Sequence, residues 1–436
     1  MTIPNLAKSL NPTFYKVAMT DKSNIIAKGG RSGTKSSAVS EVLVYDKQAD
    51  PKANVMCLRQ KQNSLKLSVY NQISWALHKV GIANEYTFRS NPMTILHKKH
   101  GTGFYFMGMD DPQALKGIIL PDGQYFSDIW FEEADSLRGV DEIDTVQDTF
   151  TRKELPNGRQ VRTFVTFNPP KNPYHWINEW TEKKRNDPNW LVHHSTYLDD
   201  VRGYNSQQIL DKIEQYKLND FTYYEWMYLG KVVGMGDNVY NMDLFKKVAE
   251  IPTDDPIIGL AFATDTGHSQ SATTSLAFGL SRKGNVYLLD TDYYSPAGKT
   301  KKRTPVGHAK AINAFYKRVY DKYQVPIYQK TVDSADGAMR NQYSDMYGEW
   351  LHPVKKTKKH IMIDLFSDLL AQGRFFMLDI PENEVFYEEH KHYRWDEKSL
   401  KKQPDNPKVI KVDDHTCDAA QYFVMDNLDI LNIKIK

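Results

Sequence analysis

Residues 24–36 read Asn-Ile-Ile-Ala-Lys-Gly-Gly-Arg-Ser-Gly-Thr-Lys-Ser. Asn24–Lys28 has the apolar character of a short strand. Thr34–Lys47 repeats apolar residues at helical spacing, with Ala38, Val39, Val42 and Leu43 on one face. Between them lies Gly29-Gly30-Arg31-Ser32-Gly33-Thr34-Lys35-Ser36. A glycine-rich loop between a strand and a helix turns backbone amides and the helix N-terminus toward an anion. Its lysine reaches terminal phosphates and its hydroxyl residue holds Mg²⁺. Lys35 and Ser36 take those two places, while Thr34 stands where such loops usually carry glycine.

Working outward, Ala53–Arg59, Gly103–Met109, Tyr125–Phe131, Arg162–Phe167 and Trp190–Tyr197 read as strands, and Ser64–Val80 reads as a helix. Strands alternating with helices imply a mostly parallel sheet covered on both faces. Tyr125–Phe131 delivers Glu132 and Glu133 at its end. In a nucleotide hydrolase the first acid supports Mg²⁺ and the second polarises the attacking water. Asp135 is expected to cap a helix. Arg162–Phe167 places Thr166 and Asn168 on one side of its end, where polar groups can sense a γ-phosphate. The two prolines that follow stop the strand.

The pattern changes over 230–256, where Gly230, Gly234, Gly236, Pro252 and Pro256 read as a linker. Beyond it, Ile257–Thr264, Thr273–Leu280, Val286–Asp290 and Tyr328–Val332 are expected strands. The stretch Ser281–Asn285 is a hairpin turn between two of them. His308–Tyr323, His360–Ala371 and His415–Leu431 are expected helices, giving a mixed sheet. Asp265 and Asp333 fall at strand ends. His415 and Asp418 are three apart, on one helical face. Three such carboxylates, if they converge, suit two Mg²⁺ or Mn²⁺ ions about 4 Å apart and in-line phosphodiester cleavage, with His415 as a proton-transfer group or weak ligand. Spacing alone does not bring them together. Asp413 and Asp414 read as N-terminal capping charges, and Asp290, Asp292 and Asp336 as surface acids. The basic runs Lys299–Arg303 and Lys355–Lys359 read as contacts to a DNA backbone, or as solvated loops.

The full chain has 436 residues, 40% hydrophobic and 25% charged, with a net charge of +3. That composition excludes a disordered chain and one that coats nucleic acid over its whole surface. Mean hydropathy is −0.60, and the absence of a long apolar run predicts no membrane span and no membrane partner. The N-terminus lacks a signal-peptide pattern. Two cysteines exclude a disulfide scaffold and point to a reduced, cytoplasmic compartment.

The ordered set GGRSGTKSS, CLRQKQNSLKLSVYNQI, DIWFEEA, TFNPP, STYLDD, YLGKVVGMGDNVY, FATDTG, TVDSAD and DHTCDAAQY resembles the large subunit of tailed-phage terminases, of the type found in phages and prophages of Gram-positive bacteria. The resemblance runs over nearly the whole chain. It implies an α/β protein with a P-loop (RecA/ASCE-like) ATPase domain over 1–235, a linker over 236–256 and an RNase H-like nuclease domain over 257–436. It implies an ATP-driven motor that packs double-stranded DNA and cuts the concatemer. ATP and Mg²⁺ are the implied cofactors of the first site, and Mg²⁺ or Mn²⁺ of the second. Gly29 to Ser36 would bind ATP, Glu132 and Glu133 would serve Mg²⁺ and water, and Thr166 and Asn168 would couple hydrolysis to movement. Asp265, Asp333 and Asp418 match nuclease acids, and His415 a histidine near them. Arg31 is a candidate arginine finger within its own loop. The implied partners are DNA, a small terminase subunit and the procapsid portal. The chain would form a ring when docked there and be a monomer when free, in the host cytoplasm.

Two other readings use the same residues. A P-loop helicase with an attached nuclease would need a second nucleotide-hydrolase-like lobe, and the sequence after 250 is already filled by the nuclease pattern. A nucleotide-gated DNA-binding assembly protein with a dead second site would fail a metal-dependent nicking assay.

Overall fold

The computed structural model describes residues 5–110, 114–152, 154–236, 238–267, 271–297 and 302–434. The chain forms two compact units, one of residues up to 213 with 222–234, the other of 214–221 with 235 onward.

The first unit is built on eight strands: β1 (Asn24–Gly29), β2 (Ala53–Arg59), β3 (Tyr86–Ser90), β4 (Met93–His97), β5 (Gly103–Gly108), β6 (Tyr125–Glu132), β7 (Arg162–Phe167) and β8 (Trp190–Ser195). Their order is β3-β4-β5-β2-β6-β7-β1-β8. From β5 to β8 all pairings are parallel, while β4 is antiparallel to both β3 and β5. The parallel strands are buried on both sides, and side-chain alternation divides them between two cores. Ile25, Val55, Cys57 and Trp130 face α1 (Lys35–Ala49) and α2 (Asn71–Val80), meeting Val39, Leu43, Ile73 and Leu77. Ile26, Met56, Leu58, Ile129 and Phe131 face the other way, toward Ile143, Val146, Ile177 and Trp180. The antiparallel edge β3–β4 is an addition to the expected parallel sheet.

The helix expected over Ser64–Val80 is not uniform. Lys66–Tyr70 forms a π-turn before α2. The Tyr70 N–H reaches back five residues to the Leu65 carbonyl, which widens the turn and keeps Leu65 and Val69 both buried.

The second unit carries β9 (Lys246–Val248), β10 (Ile257–Asp265), β11 (Thr273–Ser281), β12 (Val286–Tyr294), β13 (Ile327–Val332), β14 (His352–Pro353) and β15 (Phe375–Leu378), in the order β14-β13-β10-β11-β12-β15-β9. β10, β11 and β12 form an antiparallel meander, and the remaining strands add in parallel. The sheet is mixed, and β12 runs four residues beyond the expected end at Asp290. The longer helices are α3 (Pro305–Tyr323), α4 (Gly337–Tyr347), α5 (Lys359–Ala371), α6 (Glu384–His392) and α7 (His415–Asp426). Ala261, Ala263 and Phe278 face α5 and α7, where the Phe278 and Phe423 rings stack at 3.9 Å. Leu260 and Phe262 face α3 and α4.

The expected helix His415–Leu431 stops at Asp426. The Asn427 side chain donates to the Phe423 carbonyl at 2.8 Å, a local bond that competes with the helix ladder, and a separate turn follows at Leu428–Leu431. The stretch 236–256 contributes β9 and the buried side chains of Tyr240, Leu244 and Phe245 to the second core.

Candidate active sites

In the first unit the loop after β1 is packed too tightly for side chains at its glycines. A Cβ on Gly29 would fall 1.8 Å from the Ser195 carbonyl oxygen, and one on Gly30 1.8 Å from that of Tyr228. Backbone bonds from Gly30 N–H to Ser195 O (3.1 Å) and from Arg31 N–H to Met227 O (2.7 Å) fix the loop to its surroundings. Asn205 donates to the Ser32 carbonyl at 3.0 Å. Two residues other than glycine hold left-handed backbone here, Ser32 (φ 62°) and Thr34 (φ 54°). The Thr34 conformation explains why glycine is usual at that place. Here the strained turn is braced by Asn11, whose amide donates to the Thr34 hydroxyl (3.2 Å) and to Asp200 (3.1 Å).

Lys35 lies buried at the start of α1. Its Nζ donates to the carbonyls of Gly29 (3.1 Å) and Gly30 (2.7 Å) and to Asn168 Oδ1 (2.8 Å). Burial pulls its pKa down to about 7, against the charges of Asp135 and Glu132, which favour the ammonium. The order β6-β7-β1 explains the convergence. Parallel strands end on the same edge, so Glu132, Asn168 and the loop face one cavity lined by Arg31 to Ser37, Glu132, Glu133 and Thr166 to Asn168.

Ser36 Oγ donates to Glu132 Oε1 at 3.3 Å. Burial raises the Glu132 pKa, with Arg59 the main opposing influence. Arg59 Nε lies 3.1 Å from Glu132 Oε2 and its guanidinium also pairs with Glu133. The Nε contact is off hydrogen-bond geometry, so Glu132 Oε2 is buried without a donor. Such an oxygen beside a serine hydroxyl fits a hard divalent cation. Glu133 is half-exposed and turns outward on left-handed backbone (φ 52°). Arg59 escaped the sequence reading, since nothing local to β2 marks its contact with β6.

Two expectations change. Asp135 does not cap a helix. It sits inside the turn Ala134–Ser136, which Glu133 precedes as cap, and its pKa is raised by burial and lowered by His175, Arg59 and Lys35. Thr166 lines the cavity but commits its hydroxyl elsewhere, accepting from Trp130 Nε1 (2.9 Å) and donating to the Phe131 carbonyl (3.3 Å). Asn168 alone of that pair touches Lys35.

In the second unit, β10 and β13 run parallel with Thr264 beside Val332, so Asp265 and Asp333 leave the sheet side by side. α7 crosses this edge and supplies Asp418. The Asp265 pKa is raised by burial, relieved by the hydrogen bond from His415, and raised again by Asp418 and Asp333. The Tyr422 hydroxyl, one turn beyond Asp418, feels all three acids and donates to Asp333 Oδ2 at 3.3 Å. The trio therefore shares one neighbourhood around Tyr422, a residue the sequence reading did not single out.

Each acid also has a basic side chain beside it. His415 Nδ1 lies 3.0 Å from Asp265 Oδ2, Lys356 Nζ 2.6 Å from Asp333 Oδ1, and Lys359 pairs with Asp418. Among the described residues, no group of three or more His, Cys, Asp or Glu side chains is arranged to hold a metal ion. The donors themselves are carboxylate oxygens suited to Mg²⁺ or Mn²⁺, two of them buried, and metal entry requires the lysines to yield. The run Lys355–Lys359 thus reaches the acids themselves. Of the run Lys299–Arg303, residues 299–301 lie outside the described residues.

His415 takes the Ala272 N–H on Nε2 at 3.3 Å, so both ring nitrogens are engaged, and the Asp265 bond raises its pKa. Asp414 stands at the N-cap of α7 but makes no capping bond. The cap comes from Glu389 on α6. Its buried carboxylate accepts from the Thr416 N–H (2.7 Å) and hydroxyl (2.6 Å). Asp336 caps α4 through Met339 N–H (3.0 Å), and Asp290 and Asp292 pair with Arg318 (2.8 Å) and Arg303 (3.9 Å).

The model of the phage terminase large subunit family matches residues 21–231, and that of the terminase RNase H-like domain matches 265–426. The chain belongs to the phage large-terminase family. The large terminase subunit of Bacillus phage SPP1 is 26% identical over 235 residues, 53% of this chain and 55% of that protein. The chain thus spans about half the length of the curated relative it matches. The fold is similar to that of the large terminase from a thermophilic bacteriophage, with a TM-score of 0.74 at 20% identity over 98% of this chain and 100% of that one. A second structure of that thermophilic phage protein, in complex with ATP-gamma-S, gives 0.71 at 19% identity over 97% and 98%. The α/β class, with a terminase ATPase-type unit and an RNase H-like unit, is the one expected from the sequence. Among the described residues no helix is long and apolar enough to cross a membrane.

Proposed function

We propose that this chain hydrolyses ATP to drive double-stranded DNA into a phage procapsid and cuts concatemeric DNA at a separate, metal-dependent site. The observation that carries the first activity is Lys35, held between the loop carbonyls and Asn168, facing Ser36 and Glu132. Gly29 to Ser36 cradle the phosphates, and Lys35 compensates charge developing on the γ-phosphoryl group. Ser36 and Glu132 would hold Mg²⁺. Glu133, once released from Arg59, orients the attacking water. Asn168 reports the state of Lys35 to β7, and Thr166 steadies that strand end through Trp130.

At the second site Asp265, Asp333 and Asp418 would hold one or two Mg²⁺ or Mn²⁺ ions, which supply Lewis-acid activation of water and phosphodiester. His415, positioned by Asp265, moves a proton. We assign the motor to the first unit and the nuclease to the second, with residues 235–256 counted in the second unit. The partners of this function are a small terminase subunit that selects DNA and the portal on which a ring of copies docks, in the host cytoplasm. Purified chain, assayed for ATP hydrolysis and for Mn²⁺-dependent plasmid cutting, tests the proposal, and absence of both activities refutes it.

A further inference from the structure

Next to the strand ends that carry Asp265 and Asp333 lies a cavity with no part in the chemistry above. Its walls come from the two loops that carry Asp265 and Asp333 (Thr266 and Gly267 from one, Asp336 from the other), and from Tyr294, Arg303 and His308. The cavity therefore begins one residue beyond Asp265.

Its polar side is cationic. Lys302 and Arg303 both line it, and it takes in the first turns of α3 and α4 through Pro305, His308, Ala338 and Met339. The N-terminus of α4 is capped by Asp336 and that of α3 by the Thr304 hydroxyl, so the attraction for an anion comes from the two side-chain cations. The acids nearby are already engaged, Asp336 in capping α4 and Asp292 beside Arg303 at 3.9 Å. Thr266 Oγ1 is buried and makes no hydrogen bond.

Its other side is aromatic. The Arg303 guanidinium lies over the Tyr294 ring at 4.1 Å, and the Arg303 N–H donates to the Tyr294 hydroxyl at 3.0 Å. The His308 ring meets Tyr294 edge-on at 5.5 Å. The Tyr294 ring and Met339 make a wall on which a nucleobase packs. A site for free inorganic phosphate alone has no use for that wall.

We propose that this cavity is a nucleotide subsite of the nuclease unit, receiving the deoxynucleotide that adjoins the scissile phosphodiester, with phosphate toward Arg303 and Lys302 and base toward Tyr294 and Met339. The inference rests on the nuclease reading of Asp265, Asp333 and Asp418. It adds a component that grips one strand beside the cut, independent of sequence.

The test is titration of a deoxynucleoside 5′-monophosphate, and separately of inorganic phosphate, into the full chain, with plasmid cleavage followed in parallel. The Lys35→Ala chain controls for uptake at the ATP site. The expected results are that the monophosphate binds wild type and Lys35→Ala alike, and that phosphate binds at least tenfold more weakly. Arg303→Ala and Lys302→Ala should each weaken the monophosphate and raise the KM for DNA by about tenfold with kcat retained, as loss of a charged phosphate contact predicts. Binding that disappears in Lys35→Ala and persists in Arg303→Ala would overturn the subsite. So would equal binding of phosphate and monophosphate, because the base wall would then contribute nothing. A wild-type chain that binds the monophosphate through Arg303 yet never cuts DNA would refute the nuclease reading and the place of the subsite beside a cut, leaving a nucleotide-binding cavity alone.

Discussion

At Lys35, burial lowers the ammonium pKa to about 7, so at pH 8 most of the chains carry it neutral. A bound triphosphate favours the charged form, so nucleotide binding should take up close to one proton at pH 8 and little at pH 6. Calorimetric titration in two buffers of different ionisation enthalpy measures that uptake, and it should vanish in Lys35→Ala. No uptake at pH 8 would contradict the burial argument. Arg59 sets the companion prediction. It is the chief influence that lowers the pKa of buried Glu132, so Arg59→Ala should raise that pKa. The acid limb of the ATPase pH profile should then move to higher pH, since protonated Glu132 cannot hold Mg²⁺. An unmoved limb would separate Arg59 from the site.

Among the elements, the glycine-rich loop between β1 and α1 was the most legible. Strand, glycines and helix follow each other directly, and the local pattern carries the geometry. Even its departure at Thr34 has a physical reason. The left-handed turn costs about 1 kcal/mol for such a residue, and the Asn11 bond returns a similar amount. Thr34→Gly should therefore change stability by under about 1 kcal/mol in urea unfolding, while Thr34→Val, which loses the acceptor and keeps the branch, should lose roughly 1–2 kcal/mol. Equal effects would refute the bracing role of Asn11. The cap of α7 was not legible. Asp414 occupies the expected position, but Glu389 does the capping from another helix, a contact with no local signal. Arg59 and Tyr422 escaped for the same reason. Glu389→Ala should slow DNA cutting and lower stability by about 1–2 kcal/mol, with Glu389→Gln recovering most of both, because an amide oxygen still accepts from Thr416. Full activity in the alanine variant would detach the cap from the site.

At the scale of the whole molecule, the class of both sheets followed from the order of apolar runs, since strands alternating with helices leave few topologies. The partition of the chain did not follow. Residues 214–221 group with the second unit, and the Tyr216 hydroxyl there meets Asp368. Tyr240, Leu244 and Phe245, inside the stretch read as a linker, belong to the second core. A fragment of the second unit cut at 257 should thus lose buried rings and unfold more readily than one starting at 235. Comparison of their thermal transitions checks this.

The central claim is that one chain carries two chemically separate sites. ATP hydrolysis and Mn²⁺-dependent plasmid cleavage, measured on the same preparations of wild type, Lys35→Ala and Asp265→Asn full-length chains, test it most directly. Lys35→Ala should lose ATP hydrolysis by roughly 10²–10³-fold or more and cut DNA as wild type does. Asp265→Asn should hydrolyse ATP normally and fail to cut, because one lost carboxylate charge disrupts metal placement. Wild-type hydrolysis in Lys35→Ala, or wild-type cutting in Asp265→Asn, would contradict the account.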